Sequence, residues 1–116
     1  MVKLSMKRVY ESPSDADGCR VLVDRLWPRG VAKAEAAIDL WLKEVAPSTA
    51  LRQWFRHDPA KWGEFRKRYR AELKDNPAWI ELQALARRQP VTLVYAAKDE
   101  RHNDPVVLKE LLERAG

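Results

Sequence analysis

The sequence predicts an α/β fold: a small, mainly parallel sheet flanked by helices on both faces, within a single domain spanning residues 1–116. Three observations carry that reading. Two short apolar runs stand out, residues 20–26 with Val21, Leu22, Val23 and Leu26, and the VTLVYAA run at 91–97. Their hydrophobicity is continuous rather than alternating, as in strands covered on both faces. The long stretch between them has helical patterning, enough for a right-handed crossover joining parallel neighbours. Finally, the chain is 46% hydrophobic and 34% charged, which supplies a core with a solvated surface and excludes wholesale disorder.

The elements follow in order. Residues 7–10 form a weaker strand ahead of a turn-rich segment, SPSDADG, at 12–18. After the strand at 20–26, residues 33–45 have a helical pattern, and Ser48, following Pro47, starts a short helix through Phe55. A capping side chain followed by proline then recurs. Asp58-Pro59 opens a helix to about Asp75, Asn76-Pro77 another to about Arg88, and Asp104-Pro105 the last, which ends at Gly116. Each cap oxygen can accept a bond from an otherwise orphaned helix-start amide. Trp62, Phe65, Tyr69 and Leu73 recur at three- and four-residue steps and form one apolar face, as do Leu108, Leu111, Leu112 and Ala115. Of the five tryptophans, Trp41, Trp54, Trp62 and Trp79 occupy core-compatible positions on expected helices.

Composition narrows the partners. No run approaches the roughly 18 apolar residues of a membrane span, and the N-terminus lacks a signal-peptide core. No membrane partner is expected, and the expected compartment is the cytoplasm. The single cysteine, Cys19, excludes an intramolecular disulfide; at the start of its strand it reads as a small core residue rather than a nucleophile. The net charge is +5, and residues 46–90 carry 10 basic against 5 acidic side chains, so the whole excess lies in the middle third. That favours anionic partners without naming one.

Parallel pairing would bring the segments just after the two strong strands to one sheet edge, where ligands of open α/β sheets bind. Those segments are DRLWPRG at 24–30 and KDERHND at 98–104, both crowded with charge.

Four stretches together carry a family resemblance: RVLVDRLWPRG (20–30), DLWLKEVAPS (39–48), LRQWFRHDPAKWGEFRKRYRAEL (51–73) and VTLVYAAKDERHNDPVVL (91–108). From about Lys7 to the end, the chain resembles the YeaO-like family, the short-chain branch of the "domain of unknown function 488" group. The resemblance implies a small cytoplasmic α/β domain and carries no established activity with it. Longer relatives in that group have a VDVR-like segment and a later Cys-His-Arg segment at the corresponding strand ends. Here those positions hold Val23-Asp24-Arg25 and His102-Asn103-Asp104, without the thiol.

The candidate site residues each have a structural alternative. Asp24, Arg25 and Arg29 form a charged group in which the arginines offer planar donors to phosphate or carboxylate; equally, they suit an ion pair clamping the loop. Trp27 supplies either a stacking wall or a plug at the sheet edge. His57 stands at a helix entrance as a candidate proton-transfer group, and the alternative is a surface or packed histidine. Lys98, Asp99, His102 and Asn103 beside a helix start suit an anion pocket, or a capped loop with solvated charges. The histidines and Asp99 match no compact metal motif, so no metal is expected, and no cofactor is called for.

The residues point to a cytoplasmic protein with an anion-recognising pocket for phosphorylated or nucleotide-like molecules, either a binder or a small enzyme. Arg25, Arg29 and Lys98 hold the anion, with Trp27 and Asn103 beside it. In the enzymatic version His57 or His102 transfers a proton, oriented by Asp24 or Asp99. The rival is a non-enzymatic module that engages nucleic acid or an acidic partner through Arg66, Lys67, Arg68, Arg70, Lys74, Arg87 and Arg88. Oligomeric state is not read from the sequence.

Overall fold

The computed structural model describes residues 3–99 and 101–115, with Ala115 described for its backbone alone. Gly116, the expected helix terminator, and the side chain of Ala115 lie outside the described residues. Four strands, β1 (Leu4–Arg8), β2 (Cys19–Leu22), β3 (Leu40–Trp41) and β4 (Val91–Tyr95), form one sheet in the order β1-β4-β2-β3. Every pairing is parallel, with Val21 opposite Leu93 and Met6 also opposite Leu93 across the other edge of β4. The helices are α1 (Lys33–Ala36), α2 (Thr49–Phe55), α3 (Trp62–Leu73), α4 (Pro77–Arg88) and α5 (Asp104–Ala115).

The two unalternated runs are the two central strands, and their alternate residues serve two cores. Val21, Val23, Val91 and Leu93 face a large core with Phe65, Tyr69 and Leu73 of α3, Leu82 and Leu85 of α4, and Leu108 of α5. Leu22 and Val94 point to the other face, where they meet Val9 and Ala36, with Trp27, Val31 and Ile38 packed around them. Helices therefore flank both faces, although α1 is only one turn and a loop completes that second layer. Tyr69 is fully buried and its hydroxyl donates to the Val45 carbonyl at 2.5 Å, so its polar end has a partner inside the core.

Several boundaries differ from the sequence expectation. The first strand is Leu4–Arg8 rather than 7–10, though Val9 continues the ladder by donating to the Tyr95 carbonyl at 2.7 Å. The second strand stops before Leu26. Val23 still donates to Val94, but the amide of Ala96, just past β4, donates to the Asp24 carboxylate at 2.9 Å, and that side chain ends the ladder.

Residues 33–45 are not one helix. Arg20 is almost completely buried, and its guanidinium donates to the carbonyls of Ala36 and Ala37 and to Asp17. Ala37 closes α1 in the left-handed region at φ 49°. Asp39 then exchanges bonds with the Arg20 backbone, seating the chain beside β2 as β3. Trp41 is consequently a half-exposed strand residue, not a helical core position. Asp58 caps a 3-10 turn, Pro59–Lys61, before α3, while Ser48 and Asn76 cap α2 and α4 as expected. At α5 the cap is Asn103, whose Oδ1 accepts from the Val106 amide at 3.0 Å; Asp104 is freed from that duty.

Candidate functional site

Beyond the carboxyl ends of β2 and β4 lies an open cleft of about 740 Å³. The loop after β2 contributes residues 24–29, α2 contributes Arg52, Gln53 and Phe55, and His57 follows it. Ala96, Ala97 and Lys98 come from the end of β4, and Asn103, Asp104 and Pro105 from the start of α5. Phe55 stacks on Phe65 with ring centres 4.2 Å apart, giving the cleft an apolar wall.

Asp24 is held by the Ala96 amide, and its own carbonyl accepts from the Trp41 indole at 2.7 Å. Burial raises its pKa, against the lowering effects of the Ala96 bond and the Arg52 charge. Asp104 shares the cleft, and burial together with the Asp24 charge pushes its pKa up to about 7 despite the opposing pull of Arg52. The two carboxylates thus form a coupled acidic pair that retains a proton near neutral pH.

The basic candidates divide. Arg25 ties the loop to the segment before α2: its Nη2 donates to the Ala46 and Pro47 carbonyls at 3.2 and 3.3 Å, and Glu44 lies 3.9 Å away. Arg29, Arg52 and Lys98 are exposed and make no side-chain hydrogen bond or ion pair among the described residues. Trp27 lines the cleft while its indole donates to the Val31 carbonyl at 2.8 Å and its ring meets Trp41 edge-on at 5.6 Å. Asn103 is buried and committed at both ends of its amide, to Val106 and to the Asp99 carbonyl.

The expected histidine–carboxylate partnerships are split. His57 lines the cleft in the left-handed region at φ 56°, directly after Arg56 at φ 49°, but has no carboxylate partner among the described residues. His102 and Asp99 do pair, Nδ1 to Oδ2 at 3.0 Å, and Asp99 also accepts the amides of Arg101 and His102. Those two amide bonds, helped by the histidine, hold the Asp99 carboxyl below its ordinary value against the opposing effect of burial. This pair does not line the cleft; the His102 ring meets Trp62 edge-on instead. A single concave cluster containing Asp24, Arg25, Arg29, Lys98, Asp99 and His102 therefore does not form: Asp99 and His102 lie outside it.

Sequence reasoning missed Asp104 and Arg52. Asp104 precedes a proline and so reads as a cap, yet Asn103 just before it is an equally good capping residue and signals the alternative. Arg52 sits between Leu51 and Gln53 with no local motif to mark it. Among the described residues, no group of three or more His, Cys, Asp or Glu side chains is arranged to hold a metal ion. Cys19 lies at the opposite, amino end of β2, and burial, then the Asp39 charge, raises its thiol pKa.

Fold and cleft define a small parallel α/β domain with a charged site at the carboxyl edge of its sheet. Residues 3–115 match the family described as the inactive DUF488-N3 subclade, and the chain belongs to that family. It is 42% identical over 112 residues to the uncharacterised protein YeaO of Escherichia coli (strain K12), covering 96% of this chain and 97% of that one. The uncharacterised protein Rv3073c of Mycobacterium tuberculosis (strain H37Rv) is 43% identical over 110 residues, covering 95% and 93%. No solved structure matches the chain.

Proposed function

We propose that the cleft binds a small phosphorylated molecule without turning it over. The observation that carries this reading is the set Arg29, Arg52 and Lys98, three cationic side chains that line one cleft at the sheet's carboxyl edge with no ion-pair partner among the described residues. Phosphate offers several oxygens to such donors, and charge-assisted bonds to it are the strong ones. Arg52 takes the anion-holding role first expected of Arg25, whose guanidinium is engaged by Ala46 and Pro47.

A bare phosphate would offer Asp24 nothing beyond the Ala96 amide it already accepts, and Asp104 no donor at all. Their presence in the same cleft favours a ligand whose other end carries hydroxyl or amino groups, such as a sugar phosphate or nucleotide, with Trp27 and Phe55 as flat walls. Binding without turnover is supported by the separation of the His102–Asp99 pair from the cleft and by the absence, among the described residues, of a carboxylate partner for His57. The family's description as inactive points the same way.

Titration of isotope-labelled protein with inorganic phosphate, ribose 5-phosphate and adenosine monophosphate tests the reading. Amide shifts at Arg29, Arg52, Ala97 and Lys98 are expected, stronger for the two organic phosphates. Shifts confined to other surfaces, or release of inorganic phosphate from either compound, would contradict it.

A further inference from the structure

A second concavity, of about 350 Å³, lies where α3, α4 and α5 meet and shares no residue with the cleft. Its floor is apolar, formed by Leu73, Trp79 and Leu111. Around it stand Arg70, Lys74 and Arg114, all exposed and none with a hydrogen-bonded or ionic partner through its side chain among the described residues. Nearby acids are already used: Glu110 pairs with Arg66, Glu113 with Lys109, and Glu64 with Arg68. Three cations from two helices and the turn after one of them therefore surround an apolar depression with no internal counter-charge.

We propose that this groove docks an acidic peptide segment of a partner protein, with one apolar side chain seated on Leu111 and its carboxylates meeting Arg70, Lys74 and Arg114. Two features favour a peptide over a nucleic-acid strand. The groove holds only a few side chains, and its floor, with Leu73 and Trp79 both buried, presents little open ring face for a base to stack on and suits an aliphatic anchor. The basic row of α3 is also short: Arg66 and Arg68 are neutralised by Glu110 and Glu64, which leaves Lys67 and Arg70 as the unpaired cations on the helix among the described residues.

The test uses a short fluorescein-labelled peptide of Glu and Asp around one central Leu, the same peptide with Ser in place of Leu, and a single-stranded oligonucleotide of equal charge, all at low ionic strength. The Leu peptide should bind, and the Ser peptide about tenfold more weakly. Arg70→Glu and Lys74→Glu should each weaken the Leu peptide by about tenfold or more. Lys33→Gln, on α1 against the other face of the sheet, should leave its affinity nearly unchanged. Equal binding of the Ser and Leu peptides, tighter binding of the oligonucleotide, or no binding of the Leu peptide would each overturn the proposal.

Discussion

Asp24, just beyond the end of β2, and Asp104, in the first turn of α5, bring their carboxylates into one cleft from segments 80 positions apart in the chain, and the Asp24 charge raises the affinity of Asp104 for a proton. The arrangement links the site to stability. The Asp24 carboxylate ends the β2–β4 ladder by taking the Ala96 amide. Asp104 takes no amide from a neighbouring strand among the described residues, and its pKa rises from an ordinary 3.8 to about 7.

That rise has a defined sign. Below pH 3.8 the Asp104 carboxyl is protonated in both folded and unfolded chains. As the pH climbs from there to about 7, the unfolded chain releases the proton and the folded chain keeps it, so stability falls and then levels off. Asp104→Asn removes this contribution. The variant should gain roughly 2–4 kcal/mol over the parent between acidic and mildly alkaline pH. Urea unfolding of both proteins across that range measures the gap, and parallel stability curves would refute it.

The Arg20–Asp17 pair gives a second prediction, of opposite sign. Arg20 Nη1 lies 2.6 Å from Asp17, and Lys7 approaches the same carboxylate at 3.0 Å. Burial acts to raise the Asp17 pKa, but the bonds from Lys7, the Ser14 amide and Arg20 together bring it below the ordinary value. A lowered carboxylate contributes stability that is present above pH 3.8 and lost as the pH falls through the folded pKa. Arg20→Met should destabilise the fold by about 3–5 kcal/mol near neutral pH. It also frees the Ala36 and Ala37 carbonyls that hold the turn into β3. A denaturant midpoint unchanged from the parent would contradict this.

Two glycines with positive φ separate conformation from contact. Gly18 has φ +66°, and a Cβ there would stand 2.5 Å from the Pro90 carbonyl oxygen, the acceptor for the Cys19 amide. Gly30 has φ +77°, and a Cβ would meet nothing within 4 Å. Gly30→Ala should cost about 1–3 kcal/mol through backbone strain alone. Gly18→Ala should cost clearly more, because the Pro90 backbone must move as well. Thermal melts of the two variants rank them, and equal losses would show that the contact is relieved cheaply.

Much of this architecture is legible in the residues. The unalternated runs at 20–26 and 91–97 identify the central parallel strands because Val21, Leu22, Val23, Val91, Leu93 and Val94 each have a core to enter, while Leu26 lies past the strand and is exposed. The cap–proline pairs at Asp58 and Asn76 mark helix starts through bonds that are purely local. What the sequence hides is tertiary. Residues 33–45 keep a helical pattern, but the buried Arg20 guanidinium captures the Ala36 and Ala37 carbonyls and redirects the chain into β3.

The site is legible in the same measure. Asp24, Arg29, Trp27 and Lys98 gather at the cleft because they directly follow the strands. Asp99 and His102 follow β4 just as closely, yet the Asp99 turn folds back on its own amides and carries the histidine to Trp62. Arg52 enters from a helix distant in sequence, which no local pattern announces.

The most direct measurement is calorimetric titration of the parent, Arg52→Ala and Lys98→Ala proteins with adenosine monophosphate, together with their thermal melts. Lys98 is exposed and unpaired among the described residues, so Lys98→Ala should melt with the parent, whereas Arg52→Ala removes the positive charge facing Asp24 and Asp104 and should melt slightly lower. The parent should bind, and each variant should bind about tenfold more weakly, the loss of one charge-assisted bond. Unchanged affinity in both variants, or no measurable heat from the parent at low salt, would contradict the assignment of this cleft as an anion-binding site.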